Sequence, residues 1–442
     1  MNIPLFQVIA GMLAGIAVII LLTTKFRLPA FFALFLACFV TGLCLQMPLP
    51  EIISTAKTGF GHIMQSLGFI IVLGTTLGIV LEQTGCTHVM ANFILQKVGN
   101  KNASLAIALT GFIVGLPVFC DSGYIVLSGL NHSMIKKTGK SPIVMSVALA
   151  SGLYVVHCLL PPHPGAAAAA ETIGVDFGKL IIYGIAIAFP VMLLGYAWAK
   201  FIGGRVNAVM EDSKETVEAS NKPSAIKAFL PVVIPILLIA LRSFLQVELK
   251  EAGLPVKNLL ALGDPVMALL IGVLLAIAAK AKWTLAEWSH LLRDAIEKAG
   301  PVLLIIGGGG AFGALLAATN MGDHLAALPG LTSLSIFLPF LVAFALKTAQ
   351  GSSTVAIITA SSIMLPFLGS LGLAGENGKL LAVLAMGAGS MMISHANDAY
   401  FWVISNFSGL SMRTMLKTYS PVTIIMGLAT LAIVWLLSLF IL

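Results

Sequence analysis

Runs of apolar residues long enough to cross a bilayer recur along this chain, and short polar stretches separate them. A spanning helix needs about 20 apolar residues. Runs of that kind fall near 5–24, 29–47, 64–82, 141–158 and 178–199, and again near 228–246, 264–281, 299–317, 378–394 and 421–442. Between the third and fourth run of each set lies an apolar stretch with a polar centre. The first, 104–135, is centred on Gly115-Leu116-Pro117-Val118-Phe119-Cys120-Asp121-Ser122-Gly123; the second, 333–368, is centred on Gln350-Gly351-Ser352-Ser353-Thr354. Each predicts a re-entrant hairpin that enters the membrane, turns and returns. The fourth run of each set then breaks, at Pro161-Pro162-His163-Pro164-Gly165 and at Ala396-Asn397-Asp398-Ala399-Tyr400. Non-helical backbone at that depth is tolerated only where it is buried in protein or lines a cavity.

The two breaks are related by a constant offset of 235 residues, and the same offset pairs Gly74 with Gly309, Gly78 with Gly313, Pro117 with Ser352 and Gly174 with Gly409. Interrupted segments at corresponding places in two halves point to a transporter's binding site. The expected organisation is a first transmembrane repeat over 1–202 (hairpin 104–135, broken helix 141–172) and a polar linker over 203–227. A second repeat over 228–442 follows (hairpin 333–368, broken helix 378–405). The expected fold is an all-α integral membrane protein of two inverted-topology repeats, each with five crossings, one re-entrant hairpin and a broken helix after it. Five crossings per repeat is an odd number, so the second copy must insert upside down.

Composition supports this class. Of the 442 residues 58% are hydrophobic and 10% charged, where soluble domains carry about 25% charged residues. The formal net charge of +7 does not indicate nucleic acid, because the basic residues are scattered through short loops without aromatic interleaving. They report topology instead. Eighteen of the 25 Lys and Arg residues fall in loops on the linker side, six on the opposite side, and Lys347 inside the second hairpin. Positive loops stay in the cytoplasm, so the linker is expected inside and both termini outside, in the inner membrane of a bacterium. The first run is long for a signal-peptide core and no positive region precedes it, so a retained helix is expected. Cys38, Cys44, Cys86, Cys120 and Cys158 show no metal-ligand spacing and read as small core residues without a disulfide framework.

Ionisable groups inside a membrane are functional candidates by default, and here they gather at the tips and breaks. Asp121 lies at the first tip, His157 and His163 flank and occupy the first break, and His395 and Asp398 do the same in the second. These carboxylates and imidazoles are the candidate proton carriers. Break carbonyls and hydroxyls suit sodium equally, so the coupling ion stays open; no cofactor, metal or catalytic set is expected. Free helix N-termini at tips and breaks attract carboxylate. The hydroxyls of Ser352, Ser353 and Thr354 and the amide of Asn397 can hydrogen-bond substrate hydroxyls, while Gly351 and Gly165 permit close backbone approach. Plainer readings stand beside these. His157 packs helices, Asp121 caps the returning arm, Lys347 snorkels to the interface and Asp264 caps a helix. Gly307–Gly310 and Ala166–Ala170 serve close packing.

Five motifs in order carry a family resemblance: Leu160-Pro161-Pro162-His163-Pro164-Gly165, Gly263-Asp264-Pro265-Val266-Met267-Ala268, Ile305-Ile306-Gly307-Gly308-Gly309-Gly310-Ala311-Phe312, Gly351-Ser352-Ser353-Thr354-Val355-Ala356 and Ser394-His395-Ala396-Asn397-Asp398. Over essentially its whole length the chain resembles the gluconate permease (GntP) family of proton symporters, within the ion transporter superfamily. The resemblance implies proton-driven uptake of gluconate or a similar hydroxy or amino acid, D-serine in one branch, by an often dimeric carrier with an elevator-like domain. The chain differs from gluconate carriers in having Asp121-Ser122-Gly123 at the first tip and Ala399-Tyr400-Phe401-Trp402 after Asn397-Asp398, where such carriers often have Pro-Gly-Phe-Trp. The expected function is proton-coupled uptake of a small hydroxy carboxylate, gluconate or a related sugar acid. D-serine transport, a sodium-coupled carboxylate carrier and an anion channel are the alternatives. The expected partners are a small organic anion, the lipid bilayer and a second copy of the chain.

Overall fold

Proline and the residue before it set many of the helix boundaries in this protein. A computed structural model describes residues 5–206, 223–245, 260–318, 331–396 and 398–442. The first half contains α1 (Leu5–Thr24), α2 (Ala30–Cys44), α3 (Leu49–Gln83), α4 (Cys86–Val98), α5 (Ala103–Gly115), α6 (Cys120–Thr138), α7 (Pro142–Leu159), α8 (Pro164–Ile173) and α9 (Phe177–Gly203). The second contains α10 (Ala225–Leu245), α11 (Pro265–Ala278), α12 (Leu285–Ala318), α13 (Phe337–Gln350), α14 (Ser353–Met364), α15 (Glu376–Met391), α16 (Ala399–Ser408) and α17 (Met412–Ile441). Pro142, Pro164 and Pro265 each open a helix, where the missing N–H has no intrahelical acceptor to lose. Asp176, Asp264 and Ser411 accept N-capping bonds. Asp264 thus has the capping role expected, and Arg242 pairs with its second oxygen at 2.6 Å.

Six stretches of the described residues are long and apolar enough to cross a membrane: Leu49–Gln83, Pro142–Ile173 with its break, Phe177–Gly203, Ala225–Ser243, Leu285–Ala318 and Met412–Ile441. Two of them correct the sequence reading. The expected runs 64–82 and 299–317 are only the apolar halves of α3 and α12, which have 35 and 34 residues. Their first halves carry Glu51, Lys57 and His62, or Glu287, Arg293 and Asp294, and this periodic polar face hides the helix from a search for continuous apolar sequence. Helix α4 was not anticipated either. It is short, and Gly85 and Gly99, both at positive φ, bracket it. Of the linker 203–227, residues 207–222 lie outside the described residues.

Packing ties the two halves together around α3 and α12, which lie against each other; α2 packs on α12 and α11 on α3. The crossing depends on small residues. A Cβ on Gly59 would sit 2.4 Å from the Gly310 carbonyl oxygen, and one on Gly310 would sit 2.7 Å from that of Gly59. The Gly307–Gly310 run is therefore a helix-packing surface. In each half a helix of the expected hairpin stretch lies along the helix that is later interrupted, α5 on α7 and α13 on α15. Each short helix after a break leans on a helix of the other half, α8 on α14 and α16 on α6. All five cysteines are free thiols, four of them buried and Cys44 exposed. The Ala166–Ala170 run is fully buried, as its packing role requires.

Candidate functional site

The first break follows directly from its prolines. A residue before proline is driven out of the α region, and the two such residues at the edges of this break are extended: Leu160 at φ −120°, ψ 134° and His163 at φ −60°, ψ 136°. The helix therefore stops at Leu159 and restarts at Pro164. His163 is buried, and its Nε2 lies 2.7 Å from the Gly115 carbonyl oxygen at the end of α5. That carbonyl is one of the acceptors a helix C-terminus leaves unpaired. The imidazole joins the first tip to the first break.

The second break has no proline, and a neighbouring helix makes it. The chain leaves α15 at Met392, and Ile393 adopts φ 45°, an uncommon region for a β-branched residue. Two side chains of α17 take the freed backbone groups: the Ser394 N–H donates to Thr423 Oγ1 at 3.1 Å, and Ser420 Oγ donates to the Ser394 carbonyl. Helix α16 then starts with Asp398 as its cap, one carboxylate oxygen accepting from the Tyr400 N–H at 3.0 Å. The interruption begins at 392, four residues before the stretch expected.

Lys347 is the centre of this region. It is fully buried in protein, whereas the snorkelling reading places it at a surface. Its Nζ donates to Asp398 Oδ2 at 2.7 Å and to the Gly351 carbonyl at 2.6 Å, and lies 5.9 Å from the centre of the Tyr154 ring. Ser394 Oγ donates to the same Asp398 oxygen at 2.5 Å. A buried ammonium is tolerated only when paired and hydrogen-bonded, and these contacts meet that condition. Gly351 has φ 81°, the left-handed conformation glycine adopts without penalty at a helix C-terminus. There it aims its carbonyl back at Lys347.

Contacts across the halves bring the two regions together. The Thr354 hydroxyl lies 3.3 Å from His157 Nε2, and the His157 and His163 rings are 4.9 Å apart. Tyr400 stacks on Tyr154 at 5.6 Å, with Tyr124 and Tyr419 edge-on at 6.1 and 6.0 Å, and its hydroxyl donates to the Ala150 carbonyl at 3.3 Å. Asp121 stands half-buried in the first turn of α6, whose cap position belongs to Phe119, so it does not cap that helix. It lies within electrostatic reach of both Asp398 and Lys347.

The remaining predicted residues take less direct places. Ser352 Oγ accepts from the Val355 N–H at 3.3 Å as the cap of α14, which leaves its own proton free to donate. Ser353 is buried at the start of the same helix. Gly165 faces Thr354 Cα and Ile357, so its missing side chain admits α14. His395 is half-buried, and its carbonyl accepts from the Asp398 N–H at 2.9 Å. Asn397 lies outside the described residues. Sequence reasoning gave no site role to Ser394 or Gln350, although both lie in the motifs singled out above, and did not bring in Tyr124, Tyr154 or Tyr419. Gln350 had a signal, since it directly precedes Gly351, and both its amide atoms are buried without a protein partner. A cavity of about 30 Å³ behind the first break is lined by Leu77, Pro117, Pro161, Pro162 and Val232 among other apolar groups, and does not suit a polyhydroxy anion.

The described residues thus form an all-helical fold with several helices apolar enough to cross a membrane, two interruptions, and a buried ion pair at one of them. Solved structures agree on the fold: the Alcanivorax borkumensis YdaH transporter superposes with a TM-score of 0.65 at 16% identity, covering 87% of this chain and 88% of that one. The chain belongs to the GntP family of permeases, whose family model, described as "GntP family permease", matches residues 7–440. It is 32% identical over 431 residues to a protein named "Gluconate permease" from Pseudomonas aeruginosa, covering 95% of each chain. It is 33% identical over 445 residues to "Inner membrane permease YgbN" from Escherichia coli, covering 96% of each.

Proposed function

We propose that this protein is a secondary carrier that takes a sugar acid, gluconate or a close relative, across the inner membrane together with protons. The observation that carries this reading is the buried Lys347–Asp398 pair at the second break, with the Thr354–His157 contact bringing the first break region to the same part of the molecule. Family membership supports the transport class, and the names of the relatives support both the substrate and the membrane. In this reading α5–α6 and α13–α14 are re-entrant hairpins and the halves are inverted repeats. The reciprocal packing of α8 on α14 and of α16 on α6 supports that arrangement. The linker is cytoplasmic and the termini lie outside, as the distribution of positive charge favours.

The proposed roles follow the geometry. Ser352, Ser353, Thr354 and Asn397 offer polar groups to substrate hydroxyls, and His163 and Gly165 hold the first break in place beside them. Asp121 and Asp398 are the candidate carriers of the coupling proton, with His157 and His395 close to the same region. The charge balance favours coupling to a cation: one lysine faces two carboxylates, and a bound organic anion adds a further negative charge in a medium of low dielectric.

Uptake of labelled gluconate into proteoliposomes under an imposed pH gradient, inside alkaline, tests the reading. Accumulation above equilibrium that collapses with a protonophore is the expected result. Uptake that ignores the pH gradient and follows sodium would replace the proton. Competition by D-serine but not by sugar acids would move the substrate to the hydroxy amino acids.

A further inference from the structure

We infer that Asp398 occupies Lys347 as an internal stand-in for the substrate's carboxylate, and that a bound sugar acid takes its place on the Lys347 ammonium. This deepens the sugar-acid reading and rests on it. Lys347 is fully buried, and Asp398 is the one carboxylate that contacts its Nζ among the described residues. The remaining Nζ contact is the Gly351 carbonyl, which leaves Lys347 as a cation held by a single exchangeable anion. Asp398 has other bonds that would hold it after displacement, from the Tyr400 N–H and from Ser394 Oγ. Asp121, the other carboxylate within electrostatic reach of Lys347, makes no ion pair with it among the described residues.

Unfilled polar capacity lies close by in the chain. Both amide atoms of Gln350, three residues along the same helix, are buried without a protein partner, and so is His157 Nδ1 on the neighbouring break. Such atoms cost free energy unless a ligand or water meets them. A carboxylate with hydroxyls along a short carbon chain supplies one anion for the ammonium and several donors and acceptors for these groups. An uncharged sugar supplies only the second. The exchange also gives the proposed cation coupling a physical reason: once displaced, Asp398 has lost its positive partner.

The test is equilibrium binding to purified full-length protein in detergent, using D-gluconate, D-serine and the uncharged gluconamide as probes. Wild type should bind gluconate and reject gluconamide. Asp398→Asn keeps the helix cap and the Ser394 contact but vacates the ammonium, so it should bind gluconate at least as tightly as wild type while losing coupled accumulation. Lys347→Met should weaken gluconate by roughly 30-fold or more. The double variant Lys347→Met/Asp398→Asn removes both charges, guards against misfolding of the single variant, and should remain unable to bind. A purely structural ion pair would give the opposite pattern, with binding lost in both single variants and recovered in the double one; that pattern overturns the exchange. Gluconate binding retained in Lys347→Met also overturns it while leaving the sugar-acid reading intact. Failure of wild type to bind any carboxylate of the panel overturns both.

Discussion

Lys347, Asp398 and His163 account for most of the polar organisation at the centre of this protein, and each can be tested separately. Replacing Lys347 with Met strands Asp398 in a buried place, and removing one partner of such a pair costs about 3–5 kcal/mol. Thermal unfolding in detergent should show Lys347→Met well below wild type, with Lys347→Met/Asp398→Asn recovering much of the loss. His163→Ala leaves the Gly115 carbonyl buried and unpaired, at a cost of about 1–3 kcal/mol, and should lower both stability and uptake. Asp398 and His163 were legible as candidates because both are ionisable groups inside a break. Lys347 was harder to place. Its position just before the hairpin tip allowed either a snorkelling or a buried side chain, and only the fold of the second break shows that a carboxylate meets it. The tyrosines were less legible still: Tyr124, Tyr154 and Tyr419 look like ordinary helix residues until Tyr400 stacks among them.

Among the elements, the two breaks look alike in the fold but differ in cause. The first is written locally, because three prolines within four residues forbid a continuous helix. The second depends on Ser420 and Thr423 of α17, more than twenty residues along the chain, and was legible in the sequence only as a polar interruption paired with the first at 235 residues. The double substitution Ser420→Ala/Thr423→Val should therefore loosen 392–398 and leave 160–164 unchanged, read as faster hydrogen exchange in the second break alone. Close helix crossings make a further prediction. A Cβ on Gly152 would meet the Ala108 carbonyl oxygen at 2.2 Å and the Phe112 nitrogen at 2.8 Å. Because backbone is what it meets, Gly152→Val should push α5 from α7, cost at least about 1–3 kcal/mol and abolish uptake. The long α3 and α12 escaped a reading based on apolar runs, since half of each helix shows its burial only as one face.

At the scale of the whole molecule, the number and order of the helices were largely present in the chain as alternating apolar runs and polar stops. Their partners were not. That α3 would lie on α12, or α8 on α14, depends on which small residues face each other, and glycines alone do not identify their opposite numbers. The sidedness inferred from charge has its own check. In a variant without native cysteines, a single cysteine placed in the linker at 203–227 should react with impermeant thiol reagents only from the cytoplasmic side.

The most direct measurement of the central proposal is counterflow. Proteoliposomes preloaded with unlabelled gluconate should draw in labelled gluconate faster and to a transient excess, because a carrier returns loaded. Labelled uptake that is unchanged by preloading, or that simply follows the outside concentration, would contradict a sugar-acid carrier built on these two breaks.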